Sequence, residues 1–259
     1  MANNNASKYN SPALDKGLDI LEYLSKQAVD QSQTEIAMGI DKKPNEIYRM
    51  LVCLDERGYI MKNQVSGKYR LSLKLYYLSH RHPPLYTLRT AAFYPMQDLA
   101  AFCKQSCHLS ILNHDNFLIV AQCSSPGPVS LSVEVGSRFP LYNSTSGSII
   151  LSQLKKEEQL IYLKKDVDFN QLPQAEKDHY ISEINLVTNK GYYIKESETT
   201  KGVIDIGFAI YIPEINILGA LVVTMLSGQV QELLASDKIL KKIEEAVKSI
   251  KTNLGINFN

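Results

Sequence analysis

Two groups of residues in this sequence have types and spacings that could do chemistry. Cys103, Cys107 and His108 place two thiols one helical turn apart with an imidazole beside the second, a grouping able to bind a metal or cycle between oxidation states. Structural zinc needs four ligands, and no second pair of the CxxC kind follows. The apolar neighbours of Cys53, Cys103, Cys107 and Cys123 fit reduced, buried thiols, so no metal ligand set is assigned. His80, His82, His108, His114 and His179 stand in no catalytic motif, and there is neither a Gly-x-Ser-x-Gly elbow nor a nucleotide-binding glycine loop. The expectation is therefore no enzyme, no catalytic residue and no cofactor.

The second group is Lys42, Lys43, Asn45, Tyr48 and Arg49, followed by Lys62, Lys68 and Arg70. Arg and Asn pair bidentately with guanine and adenine edges, while Lys and backbone N–H groups hold phosphate. Glu46 opposes a purely electrostatic grip, and pairing with Arg49 or Arg57 is its expected relief.

These residues need a scaffold, and the first eighty residues spell one. Ser11-Pro12 opens a helix with a capping hydroxyl and an N1 proline, and Leu14, Leu18, Leu21 and Leu24 form one apolar stripe. Ser32-Gln33-Thr34-Glu35 reads as a capping box for a short second helix, with Gly39 as its left-handed stop. Pro44 starts a third helix in which Ile47, Leu51 and Leu54 face inward and Gly58 ends the run. At about 100° per residue, Asn45 and Arg49 then point away from Ile47. Residues 59–62 and 68–71 read as a basic hairpin around Ser66-Gly67. Three helices and a basic hairpin make a winged helix-turn-helix, for which DNA contact and a protein-binding module are the two readings. Residues 1–83 carry 12 Lys and Arg against 9 Asp and Glu, a balance of +3 within a chain whose total is +1.

A chain of 259 residues with 44% apolar and 21% charged residues is globular and long enough for two domains. A helix is expected over 71–78, and His80-Arg81-His82-Pro83-Pro84 marks the boundary between domains 1–83 and 84–259. Beyond it the pattern predicts a long helix over 85–105, kinked or divided at Pro95 and able to carry a dimer contact. Strands follow over 108–112, 117–122, 129–135, 204–212 and 217–226, with helices over 146–153, 157–163, 174–190 and 229–252. The fold class is α+β, with the second domain built on an antiparallel sheet. No apolar run approaches the roughly 18 residues of a membrane span and the N-terminus is polar, so no membrane partner and a cytoplasmic location are expected.

Three stretches in order, ALDKGLDILEYL with EIAMGI and IYRMLVCLDERGYI, then VGSRFPLYNSTSGSIILS, then NKGYYIKESETTKGVIDIGFAIYIPEINILGALVVTML, resemble the IclR family of bacterial transcriptional regulators. The resemblance implies a GAF-like effector domain, a homodimer or dimer of dimers, and a palindromic double-stranded DNA operator. The genes controlled would be catabolic ones, repressed or activated. Carried onto this chain, the family's effector pocket falls on Gly147, Ser148, Lys195, Asp205 and Thr224, and N–H groups at a helix start there suit a small organic acid. Lys195 stands where an acidic residue is frequent and Asp205 where a small or thiol residue is frequent, so the two are expected to pair, either to orient an effector's polar groups or as a structural ion pair. Val133, Phe139, Leu141, Tyr142, Ile206 and Phe208 are candidate apolar walls. The competing readings are a redox- or metal-responsive regulator using Cys103 and Cys107, and a ligand-sensing adaptor that binds protein.

Overall fold

The computed structural model describes residues 11–80, 83–128, 130–197, 200–226, 228 and 237–255. The chain divides into two compact units, Met1–His82 and Pro83–Asn259.

The first unit contains α1 (Pro12–Ser25), α2 (Gln33–Gly39), α3 (Pro44–Glu56), the hairpin β1 (Ile60–Lys62) and β2 (Tyr69–Leu71), and α4 (Lys74–His80). Its core is Ile20, Leu24, Ile36, Ala37, Ile47, Leu51, Ile60 and Tyr69. Helix α1 keeps the C-terminal half of the expected stripe, with Leu24 in the core and Leu21 packed against it, but Leu14 and Leu18 are 60% and 48% exposed and Ile20 joins the core. Ser11 makes no side-chain cap, leaving Pro12 as the helix-starting device. Ser32 and Glu35 do form the reciprocal capping box. Gly39, however, lies inside α2, and the left-handed residue is Asp41, at φ 52°. The glycine serves helix contact: a Cβ there would stand 2.0 Å from the Tyr23 ring of α1.

The second unit begins with α5 (Pro83–Cys103), which runs through Pro95 as one helix and is not divided there. The strands β3 (Ser106–Asn113), β4 (Asn116–Cys123), β5 (Arg138–Pro140), β6 (Tyr192–Glu196), β7 (Val203–Ile212) and β8 (Ile217–Leu226) form one antiparallel sheet in the order β5-β4-β3-β8-β7-β6. Between β5 and β6 lie α6 (Thr145–Ser152), α7 (Lys156–Leu163), α8 (Val167–Gln171) and α9 (Gln174–Lys190), and α10 (Lys238–Asn253) follows β8. The strand expected over 129–135 is not formed: 130–134 has no regular structure, and Val129 lies outside the described residues, as do 229–236 of the expected last helix.

The sheet is buried on both faces. One face, with Cys107, Leu109, Ile206, Ile210, Leu221 and Val223, packs under α5 and α10. The other, with Phe117, Ile119, Ala220 and Val222, packs on α6 and α9. A register shift between Leu109 and Ser110 skips Val120, so β4 carries Val120 to the α5 face while Ile119 and Phe117 face α6.

Candidate functional site

The helix-turn-helix is fixed at its turn. Gln33 donates from Nε2 to the Pro44 carbonyl at 2.8 Å, and the Lys42 N–H donates to Ala37 O at 2.9 Å, so α2 holds the start of α3. With Ile47 and Leu51 wholly buried, the opposite side of α3 exposes Asn45, Tyr48 and Arg49, preceded by exposed Lys42 and Lys43 in the turn. Glu46 pairs with Lys16 of α1 at 3.2 Å, in place of the expected Arg49 or Arg57. The hairpin is anchored because Gln31 and Tyr69 exchange both backbone bonds, at 2.8 and 2.7 Å. Lys62 and Arg70 are exposed on it, Lys62 lying 5.4 Å from the Tyr69 ring centre. Lys68 is tied back to Glu35 at 3.4 Å, which makes it the least available cation of the set.

The second unit holds a cavity of about 180 Å³ on the α6 face of the sheet. Strand alternation builds it: Cys107, Ile194, Ile204 and Ile206 face α5, so His108, Lys195 and Asp205 face α6. Lys195 and Asp205 stand directly opposite each other on β6 and β7, and Asp205 stands opposite Thr224 on β8. Phe117, Ile119, Val133, Phe139 and Tyr142 supply the apolar wall, and Asn143, Ser144, Thr145 and Ser146 bring the start of α6 to its rim.

The polar groups are wired individually. His108 Nε2 lies 3.3 Å from Ser146 Oγ, and burial drives its pKa down to about 4, so the ring is neutral at physiological pH. Asp205 accepts from Thr224 Oγ1 at 2.7 Å; burial pushes its pKa up, while the Thr224 and Thr145 hydroxyls hold it partly back. Lys195 donates from Nζ to Asn143 Oδ1 at 2.7 Å. Among the described residues Lys195 and Asp205, though opposed, form no ion pair: Asn143 is one partner of the lysine, and hydroxyls serve the carboxylate.

Lys195 and Asp205 line the cavity as expected, and Thr224 backs it through Asp205. Gly147 and Ser148 do not line it. Both of their N–H groups are consumed by Ser144, Gly147 on its Oγ at 3.1 Å and Ser148 on its carbonyl at 2.9 Å, and the Ser148 hydroxyl meets Tyr180 at 3.0 Å. Gly147 is required for packing, since a Cβ would fall 2.0 Å from Leu141 O. Of the expected apolar walls, Val133, Phe139 and Tyr142 line the cavity, whereas Leu141 is buried beside it and Ile206 and Phe208 belong to the α5 face. Sequence reasoning weighed His108 only beside Cys103 and Cys107, and it did not single out Asn143, Thr145, Ser146, Glu196 or Ser197. The usable signal was parity: in a strand with Cys107 and Leu109 turned to one side, His108 must face the other.

Among the described residues no group of three or more His, Cys, Asp or Glu is arranged to hold a metal ion, and no helix is long and apolar enough to cross a membrane.

A winged helix-turn-helix with an exposed face on α3, followed by a sheet domain with a small, mainly apolar cavity that carries a few polar groups, is the build of DNA-binding transcriptional regulators. The IclR helix-turn-helix domain model matches residues 13–64, and the model of the bacterial transcriptional regulator IclR C-terminal domain matches residues 84–252. The chain belongs to the IclR family of ligand-responsive transcriptional regulators. It is similar to the HTH-type transcriptional regulator XynR of Escherichia coli, with 23% identity covering 85% of this chain and 88% of the relative. It is also similar to the HTH-type transcriptional repressor AllR of Escherichia coli, with 21% identity covering 94% and 90%. Among solved structures, an IclR homologue from Microbacterium hydrocarbonoxydans in complex with 4-hydroxybenzoate superposes with a TM-score of 0.78 at 20% identity, covering 95% of this chain and all of that one. The Thermotoga maritima IclR gives 0.70 at 19% identity over 93% and 98%.

Proposed function

We propose that this regulator places α3 in the major groove of a double-stranded operator, with Asn45 and Arg49 toward base edges. Lys42, Lys43, Tyr48, Lys62, Lys68 and Arg70 then contact the backbone from the turn, the helix and the wing. The observation that carries this reading is the pairing of Glu46 with Lys16, which neutralises the one carboxylate in the first turn of α3 and leaves Asn45 and Arg49 exposed around it. We further propose that residues 1–83 and 84–259 act as DNA-binding and sensor domains. The protein works in the cytoplasm as a homodimer or dimer of dimers on a palindromic site near catabolic genes.

The effector is a small organic acid held in the His108–Lys195–Asp205 cavity, and the cavity's role is binding, with no catalytic turnover. A cavity of about 180 Å³ compares with the roughly 150 Å³ that accepts benzene, so a single ring or a short acyclic acid is the right size. Lys195, Asn143 and Ser146 offer donors to a carboxylate, while Asp205 accepts from a hydroxyl or amine at the other side. Gly147, Ser148 and Thr224 support this cavity from behind.

Thermal-shift screening of small hydroxy acids, monoaromatic acids such as 4-hydroxybenzoate, and sugar acids tests the sensor half, because a ligand at one hundred times its Kd stabilises by about 2.7 kcal/mol. Any hit must then change the gel shift of a fragment from upstream of the gene. A protein that no compound stabilises, or that leaves every fragment unshifted at moderate salt, overturns the corresponding half of the reading.

A further inference from the structure

We propose that Cys107 and Cys123 form a dithiol pair that hydroperoxides convert to a disulfide, an oxidation-sensitive clamp beneath the C-terminal half of α5. The thiols expected to act together from sequence were Cys103 and Cys107. The fold pairs Cys107 with a different partner: Cys107 on β3 and Cys123 on β4 are directly opposed in the antiparallel register. Both turn to the α5 face, Cys107 fully buried and Cys123 partly accessible. Opposed residues of such a pair hold their Cα atoms about 4.5 to 5.5 Å apart, inside the roughly 4.4 to 6.8 Å span a disulfide bridges. Cys103 is engaged elsewhere, its thiol donating to Leu99 O of its own helix at 2.9 Å.

The two thiols have different environments, and that difference assigns their roles. The Cys107 thiol donates to Met96 O, and the neighbouring sulfurs shift one another in opposite directions: the Cys107 side chain draws the Cys123 pKa down to about 7, while the Cys123 side chain and burial raise that of Cys107. Cys123 is therefore the accessible thiolate, the form of cysteine that attacks peroxides. Its sulfur takes the distal oxygen of ROOH as the O–O bond breaks, giving Cys123 sulfenic acid and RO⁻, which takes up a proton to become ROH. The Cys107 sulfur then attacks Cys123 Sγ: the S–S bond forms, the S–O bond breaks, and hydroxide leaves with the Cys107 proton as water. Two thiols are oxidised, and the hydroperoxide is reduced to alcohol and water. The bond draws Cys107 away from Met96 O, now 3.5 Å from its sulfur, and so acts where Met96, Leu99, Ala100 and Cys103 of α5 pack on the sheet.

The full-length reduced protein is treated with hydrogen peroxide, quenched with catalase, unfolded in urea so that the buried Cys103 and Cys107 are accessible, alkylated with iodoacetamide and digested with trypsin. Cys107 and Cys123 share the peptide 105–138, whereas Cys103 lies in 90–104. The expected product is peptide 105–138 unlabelled and lighter by two hydrogens, restored to a doubly labelled form by dithiothreitol, with 90–104 labelled throughout. Cys103→Ala keeps that product. Cys123→Ala abolishes it and slows thiol loss about tenfold, and Cys107→Ala leaves a sulfenic acid at Cys123 that dimedone traps. Circular dichroism establishes that each variant is folded. The proposal is overturned if 90–104 becomes linked to 105–138, if Cys53 alone oxidises, or if peptide 105–138 stays fully alkylable under a dose that oxidises free cysteine.

Discussion

Protonation of His108 is the perturbation whose size the structure sets most directly. Its ring is 7% exposed, with Ser146 as its hydrogen-bond partner and burial as the cause of a pKa near 4 against an ordinary 6.5. Between those values the unfolded chain binds a proton on this imidazole that the folded chain excludes, so stability falls as pH falls through the window. The full gap, at roughly 1.4 kcal/mol for each pH unit, is about 3.5 kcal/mol; by pH 4.5 about 2.5 kcal/mol of it should be lost. Other carboxylates and histidines titrate in the same range, so the measurement is a difference between wild type and His108→Gln, which keeps a polar group toward Ser146 but does not titrate. Urea unfolding followed by circular dichroism from pH 7.5 to 4.5 should show the wild type losing about 2.5 kcal/mol relative to the variant. If the difference between the two proteins is the same at both ends of the range, His108 is not held neutral by burial, and the polar side of the cavity has been assigned the wrong charge.

Asp205 has the opposite sign: its raised pKa gives a contribution that is present at low pH and lost as pH rises, so the Tm gained by Asp205→Asn should be larger at pH 8 than at pH 5. Gly147→Ala drives a methyl against the Leu141 carbonyl and should destabilise by more than about 3 kcal/mol, read as a lower urea midpoint; a drop under about 1 kcal/mol would show that loop 141–144 yields easily. Arg49→Ala should cost about 1 to 3 kcal/mol on operator DNA and much less on random DNA, and equal losses on both would remove its role in reading bases. Lys62→Ala should weaken all DNA and reduce the salt slope by about one, with Lys68→Ala doing less because Glu35 already holds that ammonium.

Local signals in the sequence carried far. The capping box at Ser32 and Glu35, the proline starts at Pro12 and Pro44, the left-handed Gly58 and Gly67, and the runs at 174–190 and 217–226 each depend on neighbours within a turn or two, and each is present. The errors lie where a distant element decides. Leu14 and Leu18 have helical spacing but no partner within their unit's core, and Gly39 looks like a helix stop until the ring of Tyr23 is seen to need its missing side chain. Strands β5 and β6 escaped notice because each is short and lies at an edge of the sheet, where one-sided pairing demands little of the sequence.

The cavity on the α6 face was half legible for a related reason. Lys195, Asp205 and Thr224 were proposed by resemblance, and the antiparallel register brings all three to one face. Charge complementarity then suggested a Lys195–Asp205 pair, but proximity across strands does not decide which partner a buried carboxylate takes. Asp205 is served by two hydroxyls from different elements, Thr224 on β8 and Thr145 on α6, while Lys195 reaches Asn143 in the loop before α6. The same loop explains why Gly147 and Ser148 fail as an anion site: Ser144 folds onto both N–H groups, so donors for an acid must come from side chains around the rim. His108 completes that rim as a neutral group, able to donate from one nitrogen or accept at the other. A ligand with its carboxylate toward Lys195 and a hydroxyl toward Asp205 would add to the bonds these groups already make without forcing a charge onto the buried imidazole.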